Sequence, residues 1–440
     1  MENSESRHVV AFVSDFFYPR LGGVEIHVWT LAQCLLRMGH KVIVITHSYG
    51  NRKGVRYMTN GLKVYYVPWS SFHEDNSFPT FFTFFPLLRD ILVREQVEIV
   101  HGHGAASSLM HETMLHAKTM KLRTCYTDHS LFGFDDAGGI HLNKVLKFTF
   151  ANIDRAIAVS HVCRENLVLR VDVKADHVFT IPNAVDTSLF VPDPSLRPTL
   201  PRINIVYVGR LAHRKGIDLI AQVIPIACEK FKNVNFIIGG DGPKRLVLDE
   251  MVEKHQLQSR VELLGRLPYS RVRSVMCRGS IFLNCSLTES FGSAIVEAAC
   301  CGLFVVATGV GGVPEILPPS MIRYTKEHDS KSLLVALEEA IDLVTSNGVN
   351  PFSQHEHIKK LYNWRNVAER TVKVYTCLSQ LDDESWNDRF RRHMKLGSIS
   401  GIFSVFLVVV DWILLQILVL LKPADSIEVM PSIDPLRVQQ

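Results

Sequence analysis

The feature that most limits how this chain folds is an alternation of short apolar runs and helical patterns, met once before and once after a proline-rich stretch. Residues 8–14 (HVVAFVS) read as a strand, 15–23 as a loop ending in Gly22-Gly23, 24–38 as a helix stopped by Gly39-His40, and 41–46 (KVIVIT) as the next strand. That order is a βαβ unit. Residues 62–67, 97–101, 122–127 and 155–160 continue the strand series. The stretch 191–201 (VPDPSLRPTLP) holds four prolines and reads as an interdomain linker. A second series follows at 203–208, 234–238, 261–264, 281–285 and 303–307. Such alternation predicts mainly parallel sheets covered on both faces. The expectation is an α/β chain of two Rossmann-like doubly wound domains, 1–190 and 202–360, facing each other across a cleft.

At 440 residues the chain has room for two domains and an appendage. The net charge of +4 is small, and no Lys/Arg stripe is interleaved with aromatics, so nucleic acid is not an expected partner. The nine cysteines are scattered without a C-x-x-C, which favours a reducing compartment and argues against structural zinc. The N-terminus lacks a charged segment followed by a long apolar run, so no signal peptide is read there. After an amphipathic helix at 361–375 and a basic run at 389–395, residues 397–421 are apolar enough to span a bilayer, with Asp411 and Gln416 interrupting them. An ionisable residue inside a span faces a partner or water, so Asp411 is an expected contact for other membrane subunits. Arg389, Arg391, Arg392 and Lys395 precede the span, whereas Lys422, Asp425 and Glu428 follow it. Basic flanks stay cytosolic. Residues 1–396 are therefore expected in the cytosol and the tail 422–440 in the lumen.

The chemistry concentrates in residues 288–302 (TESFGSAIVEAACCG), read as a tight loop and a short helix after the strand 281–285. Gly292 and Ser293 open the helix, whose N-terminal N–H groups suit a phosphate. Glu289 stands at the mouth of that site, and Glu297 lies further along the helix, able to reach a sugar hydroxyl. Arg210 and Lys215 follow a strand end, flanked by Gly209 and by Gly240-Asp241-Gly242, as cations around a diphosphate would. Cations, a helix N-terminus and glycine loops indicate a diphosphate; two carboxylates indicate a sugar. A dehydrogenase is disfavoured because no G-x-G-x-x-G follows the first strand of either half, and Thr46-His47 stands where an acidic residue is expected. A glycosidase would use two carboxylates but has no need of the Arg/Lys pair. The absence of any D-x-D leaves a carboxylate-bound metal without obvious ligands. His129 directly follows a strand, where ligands of open α/β sheets bind. Gly22-Gly23 serves either close approach to a ligand or a simple tight turn. The basic loop 51–57 (NRKGVRY), with Arg52 and Lys53, reads as a solvated loop or an anionic headgroup contact. The aromatic stretch 77–93, with Phe81 and Phe82, reads as core or as a lipid-facing element.

Glu289-Ser-Phe-Gly-x4-Glu297, Gly209-Arg-Leu-x3-Lys215-Gly216, Gly240-Asp-Gly-Pro and Ile181-Pro-Asn-Ala-Val-Asp186 together resemble the motif set of retaining GT-B glycosyltransferases with the E-x7-E signature. The stretches YGNRKG and TDHSLFGF narrow the resemblance to the PIG-A family, catalytic subunits of phosphatidylinositol N-acetylglucosaminyltransferase. Ala184 stands where such motifs commonly have glycine, a mild departure. The resemblance implies transfer of N-acetylglucosamine from UDP-N-acetylglucosamine to phosphatidylinositol with retention, the first step of GPI-anchor synthesis, without metal or cofactor. By motif position, Arg210 and Lys215 would hold the diphosphate and Glu297 the ribose. Glu289 and the Phe291-Gly292 backbone would contact the donor sugar, His129 would face the reacting carbon, and Gly22-Gly23 would sit by the diphosphate and acceptor. Domain 1–190 would then be the acceptor side and 202–360 the donor side. The resemblance also implies an endoplasmic reticulum membrane location and subunits resembling PIG-C, PIG-H, PIG-P, PIG-Q and PIG-Y. A related enzyme acting on another membrane lipid, or an inactive scaffold protein of the same complex, is the alternative.

Overall fold

Runs rich in Val, Ile and Phe make the strands, and because helices cover both faces of each sheet these runs are apolar at successive positions. The computed structural model describes residues 7–73, 76–133, 137–346 and 348–431. It divides into two units, Met1–Ile181 with Arg365–Gln440, and Pro182–Trp364.

Unit 1 begins β1 (Val9–Val13), α1 (Gly23–Arg37), β2 (Lys41–Ser48), β3 (Gly54–Met58), β4 (Leu62–His73), β5 (Asn76–Ser77) and α2 (Phe85–Arg94). It continues β6 (Ile99–His103), α3 (Ser108–Thr119), β7 (Arg123–Asp128), α4 (Ala137–Phe150), β8 (Arg155–Ala158), α5 (His161–Val171) and β9 (Val178–Thr180). The sheet order is β3-β4-β2-β1-β6-β7-β8-β9, with β5 on β4. All pairs are parallel except β3–β4 and β4–β5. Val10 of β1 pairs with Val42 on one side and Ile99 on the other, so the strand order reverses at β1. Beyond the carboxyl ends at such a reversal lies the ligand crevice of open α/β sheets.

Unit 2 runs β10 (Ile203–Val208), α6 (Ile217–Lys230), β11 (Val234–Gly239), α7 (Arg245–Lys254), β12 (Val261–Gly265), α8 (Tyr269–Met276) and β13 (Ile281–Asn284). Then come α9 (Ser293–Cys300), β14 (Phe304–Thr308), β15 (Ile322–Thr325), α10 (Ser330–Thr345) and α11 (Pro351–Leu361). Its sheet, β12-β11-β10-β13-β14-β15, is wholly parallel and reverses at β10. The chain then enters α12 (Trp364–Ser379), α13 (Trp386–Met394) and α14 (Ser398–Leu421).

The structure departs from three of these expectations. Residues 191–201 are not a free linker, and the division falls at Ile181/Pro182. The segment is packed onto unit 2: Phe190 is fully buried against Tyr269, the Val191 carbonyl accepts from Arg273 Nε at 2.9 Å, and Arg197 Nη2 donates to the Gly302 carbonyl at 2.8 Å. The helix expected at 361–375 starts at Trp364 and belongs to unit 1. Its face of Val367, Ala368, Val372 and Tyr375 is buried, with the Tyr375 hydroxyl 2.7 Å from His101 Nδ1. Asp411 does not await a partner protein: it is fully buried, its Oδ1 2.6 Å from His116 Nδ1 of α3. The stripe Gly401, Ser404, Val408 and Asp411 recurs at helical spacing and turns that face inward. By length and hydropathy α14 remains the one candidate membrane anchor among the described residues. Residues 1–6, Phe134, Asp135, Asp136 and the tail 432–440, on which parts of the sequence reading fall, lie outside the described residues.

Phe190→Ala should destabilise unit 2 by about 3–5 kcal/mol, the usual cost of emptying a buried aromatic site. Limited proteolysis should then cut within 191–201, where the wild-type chain should resist; equal cleavage in both would show that the segment is a linker after all.

Candidate active site

In unit 2 the loops after β10 and β11 interlock through their backbones. Gly209 N donates to the Gly239 carbonyl at 3.0 Å, Leu211 N to Asp241 at 2.9 Å, and Lys244 N to Leu211 at 2.9 Å. The approach is so close that a Cβ on Gly240 would lie 1.8 Å from the Gly209 oxygen, and one on Gly242 2.5 Å from the Leu211 oxygen. Gly216, at φ +70°, brings the first loop onto the end of β13, where a Cβ would lie 1.8 Å from the Cys285 oxygen. Only glycine permits these contacts. They fix the loop carrying Arg210 and Lys215.

The loop after β13 is joined to it by Leu287 N, which donates to the Arg214 carbonyl at 2.8 Å. Lys215 Nζ and Glu289 Oε1 form an ion pair, and Ser286 Oγ donates to the same oxygen at 2.8 Å. Gly292, at φ +86°, turns the chain into α9 without a side-chain cap. Phe291 is buried, its ring 5.7 Å from that of Tyr362, so the backbone is what it can offer a ligand. Glu297, one turn into α9, accepts from the Tyr269 hydroxyl at 3.3 Å. Burial pushes its carboxyl up to about 7, against the smaller opposing effect of the tyrosine. The structure thus brings Lys215, Glu289, Gly209 and Gly242 together, and gives the two glutamates separate partners.

In unit 1, His129 follows β7 directly. His103 Nδ1 lies 3.2 Å from His129 Nε2, and the His27 ring meets the His129 ring edge-on at 4.6 Å. Burial, then mutual repulsion within the cluster, holds His103 and His129 well below the usual imidazole range. Both are neutral near pH 7. The ligand nitrogens of His27, His103 and His129 lie within 4.8 Å of one another, spacing that could hold a metal ion. His103 Nδ1 and His129 Nε2 already face each other across the 3.2 Å contact. The sequence reading found His129 only; His101-Gly-His103 at a strand's carboxyl end was a usable signal, whereas His27 on a helix face gave none. Behind His129, Asp128 and Arg170 form a fully buried ion pair.

Gly22 caps α1 in an extended conformation, and a Cβ on Gly23 would meet nothing within 4 Å. The chain's own packing therefore does not explain Gly23. Arg52 and Lys53 are exposed in the turn between β2 and β3; Arg52 reaches the Tyr66 hydroxyl, which donates to the Tyr18 carbonyl at 3.0 Å. Phe81 and Phe82 have φ of +48° and +73°, unusual for bulky residues. Glu112 imposes that turn by accepting from Thr80 N at 2.6 Å, Thr80 Oγ1 at 2.5 Å and Phe81 N at 2.9 Å. Phe81 is left 73% exposed.

The family described as "PIGA (GPI anchor biosynthesis)" matches residues 47–136, and "Glycosyl transferases group 1" matches 195–356. Among curated proteins, a phosphatidylinositol N-acetylglucosaminyltransferase subunit of Arabidopsis thaliana is 51% identical over 424 residues, covering 96% of this chain and 94% of that protein. The Homo sapiens protein of the same name is 48% identical, covering 96% and 87%. Among solved structures, sucrose-phosphate synthase from Thermosynechococcus elongatus aligns with a TM-score of 0.70 at 19% identity, covering 85% of this chain and 99% of that one. Anabaena HepE, solved with UDP, aligns at 0.65 and 14%, covering 84% and 100%. These neighbours show a GT-B fold.

Gly240→Ala should lower the stability of unit 2 by on the order of 2 kcal/mol or more, because strain and overlap combine. Gly23→Ala should leave stability unchanged within about 0.5 kcal/mol. Chemical denaturation of both variants checks the contrast.

Proposed function

The chain belongs to the PIG-A family of phosphatidylinositol N-acetylglucosaminyltransferase subunits, and from that premise we propose that it transfers N-acetylglucosamine from UDP-N-acetylglucosamine to phosphatidylinositol with retention, opening GPI-anchor synthesis. The observation that carries this reading is the Lys215–Glu289 pair on glycine-locked loops at the carboxyl edge of the unit 2 sheet. Cations fixed before the reaction stabilise the charge that develops on the departing UDP without reorganising. Arg210 and Lys215 supply that charge together with the N-terminus of α9, so the proposed reaction calls for no metal or cofactor. Glu289, anchored by Lys215 and Ser286, is placed for the donor sugar, and Glu297 for the ribose hydroxyls. A Cβ on Gly23 would meet nothing within 4 Å, which supports close approach of a ligand to that backbone. The neutral His129 is suited to hydrogen-bonding a sugar hydroxyl near the reacting carbon, with His103 setting its orientation.

Arg52 and Lys53 suit the acceptor's headgroup phosphate, and Phe81 with Phe82 its acyl chains. The relatives are named as subunits, which supports a multisubunit enzyme; membrane proteins resembling PIG-C, PIG-H, PIG-P, PIG-Q and PIG-Y are the proposed partners. The proposed location is the endoplasmic reticulum membrane, with both units in the cytosol where UDP-sugars are available.

Lys215→Ala in the assembled complex should reduce turnover on the order of a hundredfold, the usual cost of removing one charge-stabilising donor. Near-normal turnover at saturating UDP-N-acetylglucosamine would count against the diphosphate site.

A pH test isolates Glu297. Its raised pKa of about 7 means the unliganded carboxyl takes up a proton as pH falls through neutrality. Ribose hydroxyls donate to the ionised form, so donor KM should rise below pH 7, approaching about tenfold per pH unit. Glu297→Gln should bind donor more weakly and lose that slope. A slope that survives the substitution assigns the titration to another group.

A further inference from the structure

Three histidines meet at the carboxyl edge of the unit 1 sheet, each delivered by a different element. His27 stands in the first turns of α1, His103 is the last residue of β6, and His129 directly follows β7. β6 and β7 are adjacent and parallel, with His103 opposite Thr127, so the two strands end side by side. His103 Nδ1 and His129 Nε2 lie 3.2 Å apart. Zinc holds imidazole nitrogens at about 2.0–2.1 Å, which sets two ligands at a tetrahedral angle about 3.3 Å apart. The third ligand nitrogen, from His27, lies within 4.8 Å of both. Closing that gap to the tetrahedral spacing takes a displacement of at most about 1.5 Å.

The group is all imidazole. Buried carboxylates at the neighbouring strand ends are already engaged: Asp128 pairs with Arg170, and Asp15 accepts from Ser107 Oγ at 2.8 Å and from Ser77 N at 3.1 Å. Imidazole without carboxylate suits zinc, copper(II) or nickel(II), whereas magnesium and calcium prefer oxygen. Magnesium accompanying a nucleotide diphosphate is therefore not held here. Burial keeps His103 and His129 neutral, the form in which imidazole ligates.

His27 and His103 are buried and His129 is half-buried, so an ion enters from the His129 side. Three protein ligands and one open position match a zinc site that keeps an exchangeable ligand. The contact between the two neutral rings places one proton between them, whereas an ion there needs both lone pairs. The donating ring therefore switches tautomer, moving its proton to its own other nitrogen, and no net proton is released.

We propose that His27, His103 and His129 bind a transition-metal dication of the zinc class, and that the bound ion inhibits the transferase. The inhibition, though not the binding, rests on His129 standing beside the reacting carbon: a nitrogen that ligates the ion is lost to the sugar hydroxyl. The ion takes no part in the transfer itself.

The test uses the assembled complex in detergent, stripped of metal by a chelator, with cobalt(II) as the probe. Four-coordinate cobalt(II) held by imidazoles absorbs in the visible and lacks the near-ultraviolet band that thiolate ligation would add. The wild-type complex should show the visible band and lose it when zinc is added, since zinc binds such ligands more tightly. No visible band, or one accompanied by the thiolate band, overturns the site. His27→Gln and His129→Gln should each remove the band; a band that survives both overturns the assignment to these residues. Micromolar zinc should lower wild-type turnover reversibly, and the concentration for half-inhibition should rise by about tenfold or more in His27→Gln. Residual turnover of that variant in metal-free buffer shows that it is folded. Equal inhibition of both overturns the site. Zinc bound at these residues with turnover unaffected overturns the inhibition, and counts against the position of His129 rather than against the ligands.

Discussion

Backbone lying directly on backbone is the constraint on which the second unit depends. Where Gly240 meets Gly209 and Gly216 meets the end of β13, a single methyl group would occupy the position of a carbonyl oxygen. Glycine is costly there in conformational entropy. The hydrogen bonds between the two loops offset part of that cost and remove their freedom to move independently. Arg210, Lys215 and Glu289 inherit their positions from these contacts, so the site is rigid because of residues that contribute no functional group.

The two units arrange polarity in opposite ways. In unit 2, charge is kept and balanced, Lys215 against Glu289. In unit 1, His101, His103 and His129 are driven neutral by burial, with His101 pushed down to about 3. A neutral imidazole donates from one nitrogen and accepts at the other. Such rings can form a polar wall without attracting a counter-charge. A sugar hydroxyl suits that wall, whereas a diphosphate suits the charged loops of unit 2.

Much of this was legible in the chain. The apolar runs located most strands of both sheets because parallel strands buried on both faces need continuous hydrophobicity. β3 was not foreseen, since GVRYM is an exposed edge strand with no buried face to reveal it, and β9 and β15 are too short to show a period. Motif positions placed Lys215 and Glu289 near a common ligand, but pairing across 74 residues leaves no local trace. His27 and His103 converge on His129 only through the strand order. Asp411 looked like an intruder in a lipid-facing helix because its partner, His116, lies 295 residues earlier. The prolines of 191–201 indicated extended chain but could not indicate that it lies flat against its own unit.

The return of α12 gives the chain a property unrelated to catalysis. Unit 2 is an insertion: residues 182–364 are threaded between two portions of unit 1. During synthesis from the N-terminus, the second unit has every strand it needs before the first has all of its helices. Residues 1–181 must wait, with the surface around His8 and His101 that Tyr375 later covers still open to water. Truncations near the C-terminus therefore strip helical cover from unit 1, while the unit that precedes them in sequence is already closed.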